Sequence, residues 1–263
     1  MLVTVPIPRL DLSCHDGARI AKAVPMRSLL LALAPFLLAA ASPATDEAQR
    51  LLDAGEEARA FATVEAASRT GDAAAVDFLA WFYDEGRHVP QDRPRAARLY
   101  RQAAEAGDAH AQWRLGVMLD LGEGVAEDPV EALAWIRRAA GADFPDGHAS
   151  LAVMYANGRG VAVDYAASLR HYLRAAELGA AAGFYGVGVL HALGQGVSAD
   201  RIEAGAWFLA ALVQRDERAP PALGQLDLDA GEMRRAIARG NEILARFGRE
   251  ERLSFEEPPA DQI

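Results

Sequence analysis

The chain has 263 residues, 51% of them hydrophobic but only 7% aromatic, and a formal net charge of −10. That length allows one sizeable core or a short repeat array, and much of the apolar content is alanine, which favours closely packed helices because it loses no side-chain entropy there. The acidic balance argues against a protein that grasps nucleic-acid phosphates, and the single cysteine, Cys14, rules out an intrachain disulfide or a cysteine zinc cluster.

Residues 1–25 are expected to be an over-extended, disordered N-terminus ahead of a start at Met26. From there the chain has a basic residue, Arg27, then an apolar run from Leu29 to Ala41, then small residues that suit cleavage after Ala41 or Ala44. That layout predicts a secretory signal peptide over 26–44. The run is shorter than the roughly 20 residues a membrane span needs, and Pro35 interrupts it. A periplasmic or secreted protein follows, with no stable membrane span after cleavage and no cysteine in the mature chain. Residues 45–71 are expected to form N-terminal capping helices. Ala60, Ala67 and Gly71 stand 36 residues ahead of Ala96, Ala103 and Gly107, which suggests a degenerate half-repeat from Asp46 to Thr70.

Four segments, 72–107, 108–143, 144–179 and 180–215, then align without a gap. An aliphatic column holds Leu79, Leu115, Leu151 and Val187, followed by the small residues Ala80, Gly116, Ala152 and Gly188. Tyr83, Leu119, Tyr155 and His191 come four residues after the aliphatic column, and pairs at i and i+4 share one helix face. Gly86, Gly122, Gly158 and Gly194 end that helix, because glycine enters the left-handed region without a Cβ penalty. Val89, Val125, Val161 and Val197 tuck under the turn. Asp92, Asp128, Asp164 and Asp200 start a second helix by accepting from its free amides. Glu131 and Glu203, three residues after their aspartates, predict reciprocal capping boxes. The second helix carries Ala96, Ala132, Ser168 and Ala204, then Leu99, Trp135, His171 and Trp207, then Ala103, Ala139, Ala175 and Ala211. One hairpin cannot bury its apolar face alone, so neighbours must stack into an all-α superhelical solenoid.

C-terminal capping helices are expected over 216–248. Leu223-Gly224 continues the register, Pro220-Pro221 marks a turn before it, and Asp229 with Glu232 opens a last helix to about Phe247. The tail, 249–263, is acidic, contains Pro258-Pro259, and is expected to be disordered.

These columns resemble Sel1-like repeats, relatives of the tetratricopeptide repeat. The fullest copy is Leu115-Gly116, Gly122-Glu123-Gly124-Val125, Asp128, Ala132, Trp135 and Ala139-Ala140. The first repeat departs from the pattern with His88 at the second loop glycine, where a differently shaped loop is expected. The third has His171 for Trp, and the fourth His191 for Tyr. The two histidines sit in adjacent helices, and either form a metal or pH-sensing pair or simply fill aromatic slots.

The resemblance implies a non-catalytic adaptor or scaffold that binds a protein or peptide in its concave groove through first-helix positions. Mapped by register, those are Trp81, Val117, Val153 and Val189; Asp77, Trp113, Ala149 and Tyr185; and Asp84, Asp120, Ala156 and Ala192. The residues chosen as the partner-binding site are Trp81, Asp84, Trp113, Val117, Asp120, Val153, Tyr185 and Val189, an apolar stripe with an acidic edge. The alternative for Trp81 and Trp113 is that they fill gaps between helices. The sequence has no phosphate-binding glycine loop, HExxH or G-x-S-x-G motif, so neither a catalytic residue nor a metal or cofactor is expected. An envelope hydrolase acting on cell wall or β-lactams, and a structural subunit of a secretion or export assembly, are the competing functions.

Overall fold

The structure, a computed structural model, describes residues 2–4 and 42–254. The signal-peptide expectation for 26–41, almost all of the 1–25 expectation and the tail beyond 254 lie outside the described residues.

Eight helices of 13 residues each carry the four repeats. The first helices are α3 (Ala73–Glu85), α5 (Ala109–Leu121), α7 (Pro145–Asn157) and α9 (Ala181–Leu193). The second helices are α4 (Arg93–Glu105), α6 (Pro129–Gly141), α8 (Tyr165–Glu177) and α10 (Arg201–Val213). Each pair repeats the previous one at a spacing of 36 residues. Every first helix ends on its expected glycine in the left-handed region, with φ of 67°, 70°, 69° and 67° at Gly86, Gly122, Gly158 and Gly194. Every second helix starts at its expected aspartate, whose side chain accepts from the first-turn amides.

The two expected capping boxes are only half formed. The backbone N–H of Asp128 already donates to the Leu119 carbonyl at 2.8 Å, and that of Asp200 to the His191 carbonyl at 3.0 Å. The cap amide is therefore satisfied by the preceding first helix, and no donor remains for the glutamate. Glu131 and Glu203 instead accept from the indole N–H of Trp135 (3.1 Å) and Trp207 (3.0 Å), one turn further on. They also pair with Arg101 and Arg239 of neighbouring helices.

The small column acts as the close-approach seam. A Cβ at Gly116 would lie 2.5 Å from Ile136 of the partner helix, and one at Gly188 would lie 2.6 Å from Phe208. The expected change of loop shape at His88 does not occur. His88 is itself left-handed (φ 59°), like Gly124, Gly160 and Gly196, and its ring rests on Phe61 at 5.3 Å.

The ends differ more from expectation. The N-terminal cap is a full hairpin, α1 (Pro43–Asp53) and α2 (Glu57–Ser68), rather than a half-repeat. Helix α1 begins inside the segment assigned to the signal. Its cap is Ser42, which forms a reciprocal box with Thr45. At the other end α11 (Ala219–Gln225) has only seven residues and takes Pro220 and Pro221 into its first turn, where proline needs no amide partner. Helix α12 (Ala230–Arg246) starts with the expected Asp229–Glu232 box, both bonds present, and is capped at Phe247. The chain then turns back. Leu253, in β2 (Arg252–Ser254), is buried against α12, and Asn241 bonds both its N–H and its C=O. Strand β1 (Leu2–Thr4) pairs parallel to β2.

Consecutive helices pack as antiparallel neighbours along the array. First helices also touch the first helices of the next repeat (α5 with α7, α7 with α9), whereas α4, α6, α8 and α10 do not approach one another as closely. We call the side on which the first helices approach one another the inner face. The core forms two apolar clusters, from Ala48 to Met154 and from Ala176 to Leu253. No described helix is long and apolar enough to cross a membrane.

Candidate functional site

The inner face is built from the solvent-reaching side of the first helices. Trp81, Val117 and Val189 are half-buried and Val153 is 43% exposed, so one column of apolar residues at 36-residue spacing reaches solvent in all four repeats. Trp81 packs edge-on against Phe78 and Phe82, with ring centroids 5.6 and 5.2 Å away, and Arg87 lies over its ring.

The second column behaves differently along its length. Trp113 is half-buried between repeats. Its indole N–H donates to Ser150 Oγ on the next first helix at 2.9 Å, and its ring lies 5.7 Å from Phe144. Tyr185 lies 5.4 Å from Phe208, with Arg218 4.3 Å above its ring. Asp77 and Ala149 are buried and do not face the groove.

The expected acidic edge is neutralised. Asp84 is only 4% exposed, pairs with Arg114 of the next repeat, and has Arg93 at 4.0 Å. Asp120 pairs with Arg159 of the next repeat at 3.0 Å. The edge is thus a series of repeat-to-repeat ion pairs.

His171 is paired with His148 of α7 rather than with His191. The two Nδ1 atoms lie 3.1 Å apart, and the His171 ring stacks on Tyr155 at 5.7 Å. Burial, and then the neighbouring His148 charge, pull the His171 pKa down to about 4. Burial likewise lowers that of His148.

A further constellation lies beneath the inner face where repeats 1 and 2 meet. Asp77 on α3 is fully buried, and both its carboxylate oxygens lie 2.9 Å from Nδ1 of His110 on α5. Asp108, the N-cap of α5, accepts from the Ala111 amide at 2.8 Å and has a carboxylate oxygen within 4.8 Å of donor atoms of both Asp77 and His110. Asp146 on α7 also acts on His110. Burial, then the Asp77 charge, push the Asp108 pKa up to about 6. Burial opposes protonation of His110, but Asp77 and Asp108 more than reverse it and leave its pKa raised. Sequence reasoning did not find this cluster. Its signal was a carboxylate, Asp77, in a column otherwise holding Trp, Ala and Tyr, together with a histidine where the other repeats have Ala or Asp.

The pattern described for the Sel1 repeat matches four times, at residues 73–108, 109–144, 145–179 and 181–212. Comparison with curated proteins gives no match. Among solved structures, a Sel1 repeat protein from Oxalobacter formigenes is 31% identical, with a TM-score of 0.65 over 78% of this chain and 84% of that one. A protective antigen of uropathogenic Escherichia coli, c5321, which displays an SLR fold, is 27% identical with a TM-score of 0.63, over 76% of this chain and 45% of that one. The immunity protein Pa5087 from Pseudomonas aeruginosa shares the fold at 19% identity, with a TM-score of 0.51 over 78% and 84%. Four consecutive matches over more than half of the chain, on hairpins that repeat every 36 residues, place this protein in the Sel1 repeat family.

Proposed function

We propose that this protein is a non-catalytic interaction scaffold of the cell envelope that holds a peptide or protein segment along its inner face. Sel1 repeat proteins are commonly protein–protein interaction scaffolds. The observation that carries the finer reading is the unbroken apolar column of Trp81, Val117, Val153 and Val189, reaching solvent at the same point of every repeat. An extended or helical ligand with regularly spaced apolar anchors matches such a surface. Because Asp84 and Asp120 are already paired with arginines, selection rests on the apolar anchors rather than on a basic flank. Trp113 and Tyr185 border the column as rigid walls.

The envelope assignment rests on the signal-like segment and fits the capping of α1. Cleavage after Ala41 leaves Ser42 in place as the cap of α1, whereas cleavage after Ala44 removes it.

The test is selection of peptides from a displayed library on the purified chain, followed by replacement of exposed groove residues. Val153→Arg projects from the surface and leaves the core intact, so the fold persists while affinity for selected peptides falls about tenfold or more. Selected peptides whose binding is indifferent to both Val153→Arg and Val117→Arg would show that the groove is not the site.

A further inference from the structure

The buried cluster between repeats 1 and 2 carries an inference independent of the groove. We propose that Asp77, Asp108 and His110 form a structural binding site for one divalent transition-metal ion, with Zn²⁺ the fitting species.

Three observations support the assignment. First, the ligand set converges. One donor atom from each of the three residues lies within 4.8 Å of the other two, and all three side chains are buried. The 2.9 Å between Nδ1 of His110 and the Asp77 oxygens is close to the spacing of adjacent ligands around one cation with bonds of about 2.0–2.2 Å.

Second, the charges ask for a cation. Two carboxylates and a neutral imidazole balance a dication, whereas a proton on His110 leaves one carboxylate unmatched. Asp108 is met by first-turn amides of α5, which are dipoles rather than a full countercharge. Arg114, the nearby cation, is held by Asp84, and Asp146 adds further negative potential from α7. A buried uncompensated carboxylate is costly, and a bound ion removes that cost.

Third, a buried polar group beside the cluster lacks a partner. The hydroxyl of Tyr100 is fully buried and electrostatically coupled to Asp77. It has no hydrogen-bond partner of good geometry, and its ring stands edge-on 6.3 Å from that of His110. In the proposed site this hydroxyl, or a water held by it, supplies the fourth position that a structural zinc needs. Two carboxylates and one imidazole, all buried, suit Zn²⁺ better than Ca²⁺, which takes six to eight oxygens, or Mg²⁺, which keeps its waters.

When the ion binds, His110 Nδ1 gives up its proton and donates its lone pair to the metal, and both carboxylates bind ionised. Binding therefore pins α3 to the N-terminus of α5.

The test uses the full chain, stripped with chelator and then titrated with Zn²⁺, Mn²⁺ and Co²⁺. The expected result is one zinc per chain, a raised melting temperature at excess zinc, weaker Mn²⁺ binding, and visible d–d absorption on Co²⁺ loading. His110→Gln, which keeps a hydrogen-bond donor to Asp77, lowers zinc affinity by more than about tenfold; Asp108→Asn does the same. His171→Leu, which disrupts the other histidine pair, leaves binding unchanged. The proposal falls if the stripped wild-type chain shows neither bound zinc nor a thermal shift, or if His171→Leu abolishes binding while His110→Gln does not. Should either site variant fail to fold, the Co²⁺ spectrum of the wild-type chain still decides, since a mixed oxygen–nitrogen ligand field is required.

Discussion

Ser168 stands in the column that holds Ala96, Ala132 and Ala204, and its Oγ is fully buried without a hydrogen-bond partner. An unpaired buried hydroxyl costs about 1–3 kcal/mol relative to a paired or absent one. Alanine fills the same slot three times in this chain, so Ser168→Ala leaves neither a clash nor a large cavity. The substitution should raise stability by about 1 kcal/mol, seen as a higher denaturant midpoint at unchanged slope. An unchanged or lowered midpoint would mean that the hydroxyl is satisfied in solution. Ser168 was visible in the sequence as the odd member of its column; that the hydroxyl lacked a partner was not, because this depends on what the neighbouring helices present.

At the level of loops and helices, one position has two opposite roles. A Cβ on Gly160 would lie 2.2 Å from the Pro129 carbonyl, and one on Gly124 would lie 2.5 Å from the Arg93 backbone. This second loop glycine is therefore fixed by the start of the second helix in the preceding repeat as well as by its own φ. His88 fills the equivalent place against the N-terminal cap, with its ring on Phe61. Gly160→Ala should cost more than about 2 kcal/mol, since it adds a backbone clash to left-handed strain. His88→Gly should shift stability by less than about 1 kcal/mol, because relief of strain is offset by greater unfolded-state freedom and a lost ring contact. Urea titrations of the two variants check this, and equal costs would mean that the contact with the previous repeat is unimportant. The hairpins themselves were legible because their signals are local: a left-handed glycine at one end and an aspartate cap at the other. The glutamate partners were not, since Asp128 and Asp200 have their cap amides taken by carbonyls of the preceding helix. Which first-helix positions reach solvent was legible only in part. Trp81, Val117, Val153 and Val189 reach solvent, but the same offset rule placed Asp77 in the groove, whereas α5 covers it completely. Whether a first-helix position faces solvent is set by the next helix, and one sequence carries little sign of that.

Across the whole molecule the boundary between the two apolar clusters falls between α7, which ends the first, and α8, which opens the second. The fully buried residues of α8 are small, Ala167, Ser168, Ala175 and Ala176, and His171 stands where α6 and α10 carry Trp. In a repeat array each unit is stabilised mainly by its neighbours, so a weak element divides the array into separately opening blocks. Hydrogen exchange should show α8 amides opening at lower free energy than those of α5 or α10. Acid should widen that difference. The folded His171 pKa, about 4, lies below its ordinary value of 6.5, so the unfolded chain takes up the proton more readily. The stabilisation from keeping His171 neutral is complete above about pH 6.5 and is lost progressively as pH falls toward 4. Its size is modest, because the ring is half-exposed and screened by solvent. Other carboxylates titrate over the same range, so the informative quantity is the difference between the wild-type chain and His171→Leu, the residue type that Leu99 supplies in the first repeat. Between pH 7 and pH 5 the wild-type α8 should lose protection relative to α5, and His171→Leu should lose less. Uniform loss of protection along the array, or equal loss in both proteins, would mean that the solenoid opens as one cooperative unit and that the histidine pair does not set its weakest point.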